Sequence, residues 1–143
     1  MKNVLLMTAL CVGTVACTDG KSKSMAAHQQ TKKDVVKVLY FHGTLRCATC
    51  MAIEKNTNAL VESAYAEQLK SGKLVFRSVD IAKEEALAEK YEVSWSSLIL
   101  VDYDKDGKES LTNLTEFAFG YARTAPNKFK AGLSEQISEM LNN

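Results

Sequence analysis

The sequence predicts an α/β domain built as a three-layer sandwich, with a central mixed four-stranded sheet flanked by helices. Three observations predict it. Residues 35–41 form a nearly unbroken run of β-branched, aliphatic and aromatic side chains, as in a strand buried on both faces. A helical stripe and then a second strand-like run follow, which is the order of a β-α-β unit with parallel strands. Asp106-Gly107 lies between two further strand-like runs and marks a hairpin, hence an antiparallel edge.

Taken in order, the first strand covers 35–41 and is broken by His42-Gly43-Thr44. Ile53, Thr57, Leu60, Val61, Ala64, Tyr65 and Leu69 then recur at three- and four-residue steps, giving one helix with a single apolar stripe. Gly72 is placed to take the left-handed conformation just past its end. A second strand spans 74–80. A short helix spans 83–91, with Ala86, Leu87 and Tyr91 facing inward. A third strand at 98–101 leads through the turn at 104–107 into a fourth at 109–114. The chain closes on a helix over 126–141, with Phe129, Leu133, Ile137 and Leu141 on one face. Thr124 is its expected cap, and Pro126 sits in the first turn, where a missing N–H costs nothing.

The N-terminus reads as an export signal. Lys2 supplies a positive charge, and residues 4–16 are apolar or small, a run too short for a spanning helix of ~20 residues. The run ends Ala16-Cys17, which resembles a bacterial lipobox, although Thr14 stands where that pattern prefers Leu. The resemblance implies cleavage before Cys17 and a diacylglyceryl group on its sulfur. The expected organisation is a lipoprotein signal peptide at 1–16, a flexible polar tether at 17–33 and the folded domain at 34–143. That puts the domain in the cell envelope, outside the cytoplasm, lipid-anchored to a bacterial membrane.

Export changes what the four cysteines mean. Outside the cytosol a disulfide persists. With Cys11 removed and Cys17 lipidated, Cys47 and Cys50 are the remaining thiols. A C-x-x-C pair between a strand and a helix has a chemical rationale. The unpaired N–H groups and partial positive charge of a helix start favour thiolate at Cys47, and Arg46 adds a cation beside it. Cys50, one turn on, is placed to resolve a mixed disulfide formed at Cys47. Three readings remain open: a redox-active dithiol, which leads; a structural disulfide; and capture of a soft metal or arsenic species by the thiols. Met51 excludes covalent haem, which needs His at that position. Zinc needs about four ligands, and Cys47, Cys50 and His42 offer three, so no intrinsic metal or other cofactor is expected.

This order of elements, with C-x-x-C opening the first long helix, resembles the thioredoxin fold over residues 34–143. The segments Tyr40-Phe41-His42-Gly43 and Arg46-Cys47-Ala48-Thr49-Cys50-Met51-Ala52-Ile53-Glu54-Lys55 resemble the nitrophenyl compound nitroreductase subunit ArsF family of exported thioredoxin-like proteins. The thioredoxin resemblance implies thiol–disulfide exchange with a protein partner. It also implies two departures. Ser97 stands where thioredoxin-like enzymes place a proline facing the cysteines, and Phe41 where cytosolic thioredoxins hold a buried carboxylate. Proton transfer at Cys50 then falls to His42, solvent or another group, and Trp95 is expected next to the cysteines. The resemblance equally admits an accessory or binding subunit whose disulfide is structural or senses redox state.

Other classes find little support. A net charge of +1 offers no large basic surface for nucleic acid. Residues 102–107 match the first half of a calcium loop, but Asn113 occupies the position of the bidentate Glu and a strand precedes the loop, so a hairpin turn is expected.

Overall fold

The computed structural model describes residues 35–143. Cys17 and the expected signal and tether lie outside the described residues. Four strands form one sheet in the order β2-β1-β3-β4: β1 (Val36–His42), β2 (Leu74–Asp80), β3 (Ser97–Tyr103) and β4 (Glu109–Asn113). β1 pairs parallel with β2, Val36 opposite Leu74, while β3 runs antiparallel to both β1 and β4. The sheet is therefore mixed, as expected, with the parallel pairing confined to β1 and β2.

Alternation along the central strands creates two cores. Val36, Val38 and Tyr40 of β1, with Leu98 and Leu100 of β3, face α1 (Ala48–Ala64) and α5 (Pro126–Asn142), whose Ile53, Phe129, Leu133 and Ile137 are fully buried. Leu39, Phe41, Ile99 and Val101 face the other way, toward Ala88 of α3 (Glu85–Lys90), Tyr91 and Val93. A strand clothed on both sides has no polar face, which is why β1 and β3 read as nearly unbroken apolar runs. The edge strands β2 and β4 are only partly buried.

Several elements differ from expectation. The long helix breaks at Tyr65, whose backbone (φ −127°, ψ 26°) separates α1 from α2 (Ala66–Ser71). The Tyr65 ring is buried, and its hydroxyl donates to Ser134 O at 2.9 Å and lies 2.7 and 2.8 Å from the hydroxyls of Ser134 and Ser138. These contacts pin it to α5. Leu87 and Tyr91 pack inward as expected, but the buried alanine of α3 is Ala88, two residues on from the expected Ala86, which is exposed.

An additional helix, α4 (Thr115–Tyr121), follows β4 directly. Asn113 Oδ1 accepts from Thr115 N at 2.9 Å, and Thr115 Oγ1 accepts from Leu98 N at 3.1 Å, so the turn into α4 is tied to β3. Thr124 does not cap α5. Its hydroxyl donates back to Gly120 O, and Ala125 holds the cap position. Gly72 (φ 75°) ends α2, and Gly107 (φ 79°) closes the β3–β4 turn, where Asp104 Oδ1 accepts from the backbone of Asp106 and Lys108.

Candidate functional site

β1 carries the chain to one end of the sheet and stops at His42, and the loop over 43–46 delivers Cys47 to the start of α1. Cys47 is the helix N-cap, in extended conformation (φ −80°, ψ 162°), and its sulfur accepts from Cys50 N at 3.0 Å. A sulfur thus takes the place usually held by a Ser or Asp oxygen, engaging one of the unpaired N–H groups of the first turn. Cys47 and Cys50 are joined in a disulfide, with Cα atoms 5.0 Å apart. The two cysteines differ in environment: Cys47 is exposed, whereas Cys50 is 6% exposed and packs in the same core as Tyr40 and Ile53.

Arg46, next to the exposed cysteine, donates from Nη2 to Glu54 Oε2 at 2.6 Å, and its guanidinium stands 5.8 Å from the centre of the Tyr40 ring. Burial disfavours the Arg46 cation, but the hydrogen bond and charge of Glu54 outweigh this and hold it firmly protonated. Burial likewise pushes Glu54 up, yet hydrogen bonds from Ser78 and Arg46, with the Arg46 charge, leave its carboxyl below the usual range. His42 Nδ1 lies 3.0 Å from Gly43 O, which requires Nδ1 to carry the proton, and its ring centre is 6.0 Å from that of Tyr40. His42 is thereby turned to its own loop.

The loop before β3 supplies the opposite wall. Ser96 Oγ is 3.9 Å from Cys50 Sγ. Ser97 is buried, and its hydroxyl donates to Trp95 O at 3.0 Å, so of the two serines it is Ser96 that meets the disulfide. Trp95 is 62% exposed and leans on Phe119, with ring centres 6.3 Å apart. Leu45 and Met51 are also exposed, so large apolar side chains lie beside the motif in sequence on both sides and in the facing loop.

One expectation about the surroundings needs correction. Phe41 faces away from the disulfide, into the α3 core, with its ring 6.2 Å from Tyr91. The β1 residue on the cysteine side is Tyr40. Its hydroxyl is fully buried and makes no hydrogen bond of normal geometry among the described residues. Burial pushes the phenol up, while Arg46 and Ser96 pull in the opposite direction. Tyr40, Ser96 and Glu54 are thus site residues that the motif alone does not reveal. Among the described residues no group of three or more His, Cys, Asp or Glu side chains is placed to hold a metal ion.

No protein-family model and no curated protein sequence matches the chain. Solved structures do. The crystal structure of ERdj5 in its form I superposes with a TM-score of 0.51 at 12% identity, over 75% of this chain and 13% of that one. The fold is thioredoxin-like. The Trx4 domain of ERdj5 (TM-score 0.48, 15% identity, 74% of this chain and 82% of that one) is a further similar structure. So is thioredoxin from Fasciola hepatica (TM-score 0.47, 21% identity, 76% and 84%). The thioredoxin-like scaffold accounts for the geometry above: the central strand ends under the first turn of α1, and the loop entering β3 crosses in front of it.

Proposed function

We propose that this protein performs thiol–disulfide exchange with a protein partner, Cys47 attacking and Cys50 resolving. The observation that carries this reading is the asymmetry of the disulfide: an exposed cysteine at a helix N-cap, joined to a buried one whose sulfur faces a hydroxyl. A bond serving only to brace the fold gains little from a three-residue loop, because loop-closure entropy grows with the length enclosed. It also has no need of an exposed cysteine whose sulfur accepts from a helix N–H.

In the reducing direction, the Cys47 thiolate attacks one sulfur of a partner disulfide, forming a Cys47–partner bond and expelling the other partner sulfur as thiolate. Cys50 then gives up its proton and attacks Cys47 Sγ. The mixed disulfide breaks, the second partner sulfur leaves with the electron pair, and solvent protonates it. Two electrons pass to the partner, and Cys47–Cys50 becomes the disulfide. Running in reverse, the same steps oxidise a dithiol. Leu45, Met51 and Trp95 offer apolar contact to a polypeptide held across Cys47.

At the family level we propose membership of the nitrophenyl compound nitroreductase subunit ArsF family, supported by the Tyr40-Phe41-His42-Gly43 and Arg46-to-Lys55 segments. The lipobox-like Ala16-Cys17 supports a lipid anchor at Cys17 and a place in the cell envelope. A Cys50→Ser variant tests the exchange reading: it should accumulate a mixed disulfide at Cys47 with a disulfide-bonded peptide, seen as an added mass. Failure to trap any adduct sinks the reading.

A further inference from the structure

We propose that Ser96, backed by the buried phenol of Tyr40, is the hydrogen-bond donor that steadies the Cys50 sulfur as a thiolate, making Tyr40 a positioning residue for the resolving step. This inference rests on the exchange reading above.

The need for such a donor follows from burial. Cys50 lies in the core, where a thiolate has little water to solvate it and the neutral thiol is favoured. Yet the resolving step requires the Cys50 anion, both when it attacks Cys47 and when it leaves in the reverse direction. Among the described residues, Ser96 Oγ is the polar side-chain oxygen set against this sulfur, at 3.9 Å. A disulfide sulfur carries no hydrogen, so in this contact the hydroxyl is the donor. Ser96 is half-buried, so the same hydroxyl links the core sulfur to solvent and gives the Cys50 proton a way out.

Tyr40 supplies the second observation. A fully buried hydroxyl without a partner is uncommon and costly. This one sits in the core of the cysteine side, with Arg46 and Ser96 as neighbours that work against the upward push of burial on the phenol. In this proposal the phenol, which meets no partner of normal geometry among the described residues in the disulfide form, donates to Ser96 Oγ once Cys50 is reduced, and so turns the Ser96 proton toward the sulfur. The charged or titratable groups around the phenol are Arg46 from the loop before α1, Glu54 from α1 and His42 on its own strand. Its cross-strand neighbours in register, Ser78 and Leu98, carry no charge.

The test uses the wild-type protein with Tyr40→Phe, Ser96→Ala and Ser96→Thr. Each is loaded with glutathione at Cys47, and release of glutathione by Cys50 is timed across pH. Tyr40→Phe keeps the ring and its packing, and removes only the hydroxyl. Loss of a hydrogen bond to a charged sulfur predicts release about tenfold slower in Tyr40→Phe and Ser96→Ala near neutral pH. The midpoint of the pH profile should also move upward. Ser96→Thr should restore both, and alkylation of Cys47 in the reduced proteins should stay at the wild-type rate. Wild-type release and pH midpoint in Tyr40→Phe overturn the role of Tyr40, and the same result in Ser96→Ala overturns the whole proposal. Equal slowing in Ser96→Ala and Ser96→Thr also overturns it, since shape rather than the hydroxyl would then be responsible. If wild type never forms the glutathione adduct, the exchange reading fails and this inference falls with it.

Discussion

The Arg46 guanidinium donates to Glu54 Oε2 at 2.6 Å, tying the loop that precedes Cys47 to the second turn of α1. The cation beside the exposed cysteine is therefore already paired, and its pull on a Cys47 thiolate is reduced. Two substitutions of opposite sign follow. Arg46→Ala removes the cation and should raise the Cys47 thiol pKa, slowing iodoacetamide alkylation of the reduced protein roughly two- to fivefold at neutral pH. Glu54→Gln leaves the cation unpaired and should lower that pKa, moving the alkylation pH profile the other way. Shifts of the same sign in both variants would show that loop geometry, not charge, dominates.

The difference in burial between the two cysteines predicts ordered reactivity. In the reduced protein Cys47 should be alkylated at least roughly tenfold faster than Cys50. Peptide mapping after a short pulse of reagent reads the ratio directly. Equal labelling would mean that the first turn of α1 opens when the disulfide is reduced.

Packing around α5 predicts a stability effect unconnected with redox chemistry. A Cβ added at Gly132 would lie 2.5 Å from Phe117 Cζ. The Phe117 ring cannot swing away freely, because it is held between Tyr121 and Phe129, with ring centres 5.2 and 6.0 Å away. The gain of about 1 kcal/mol from replacing a helical glycine by alanine competes with an overpacking cost of about 1–3 kcal/mol. Gly132→Ala should therefore be net destabilising by about 1 kcal/mol in urea unfolding, with the redox behaviour unchanged.

Glu109 predicts a pH-dependent contribution far from the cysteines. A hydrogen bond from Lys90 at 2.8 Å, with another from Tyr103, outweighs burial and holds the Glu109 carboxyl below its ordinary value of 4.5. A group with a depressed folded-state pKa stabilises the protein above its unfolded pKa, and loses that contribution as pH falls through the folded value. The pair is substantially exposed, so the term is no more than about 1 kcal/mol. The stability gap between wild type and Glu109→Gln should be open at pH 7 and should close as pH falls below 4.5. A gap independent of pH would assign the effect to shape.

Much of this architecture is legible in the residues. The apolar runs of β1 and β3, the Asp-Gly turn and the stripe through Ile53, Thr57 and Leu60 all follow from periodicity and turn chemistry. So does the placement of Cys47 at a helix start. What escapes is orientation decided by tertiary packing. In a strand buried on both faces, adjacent Tyr40 and Phe41 are both aromatic and both buried, and only the finished sandwich shows which one lies on the Cys50 side. Ser96 and Ser97 pose the same problem in a loop, where no period assigns a face. The break at Tyr65 comes from hydrogen bonds to α5, some seventy residues away in sequence. α4 is hidden because β4 passes into it without the polar, glycine-rich spacer that usually separates elements.

The central claim, that Cys47 and Cys50 exchange with partner thiols, is tested most directly by equilibrating the protein in graded glutathione buffers and counting alkylated thiols by mass. An exchanging pair should titrate within the glutathione range, well above about −300 mV. A disulfide that stays fully formed until the potential falls below about −300 mV would mark a structural bond and contradict the claim.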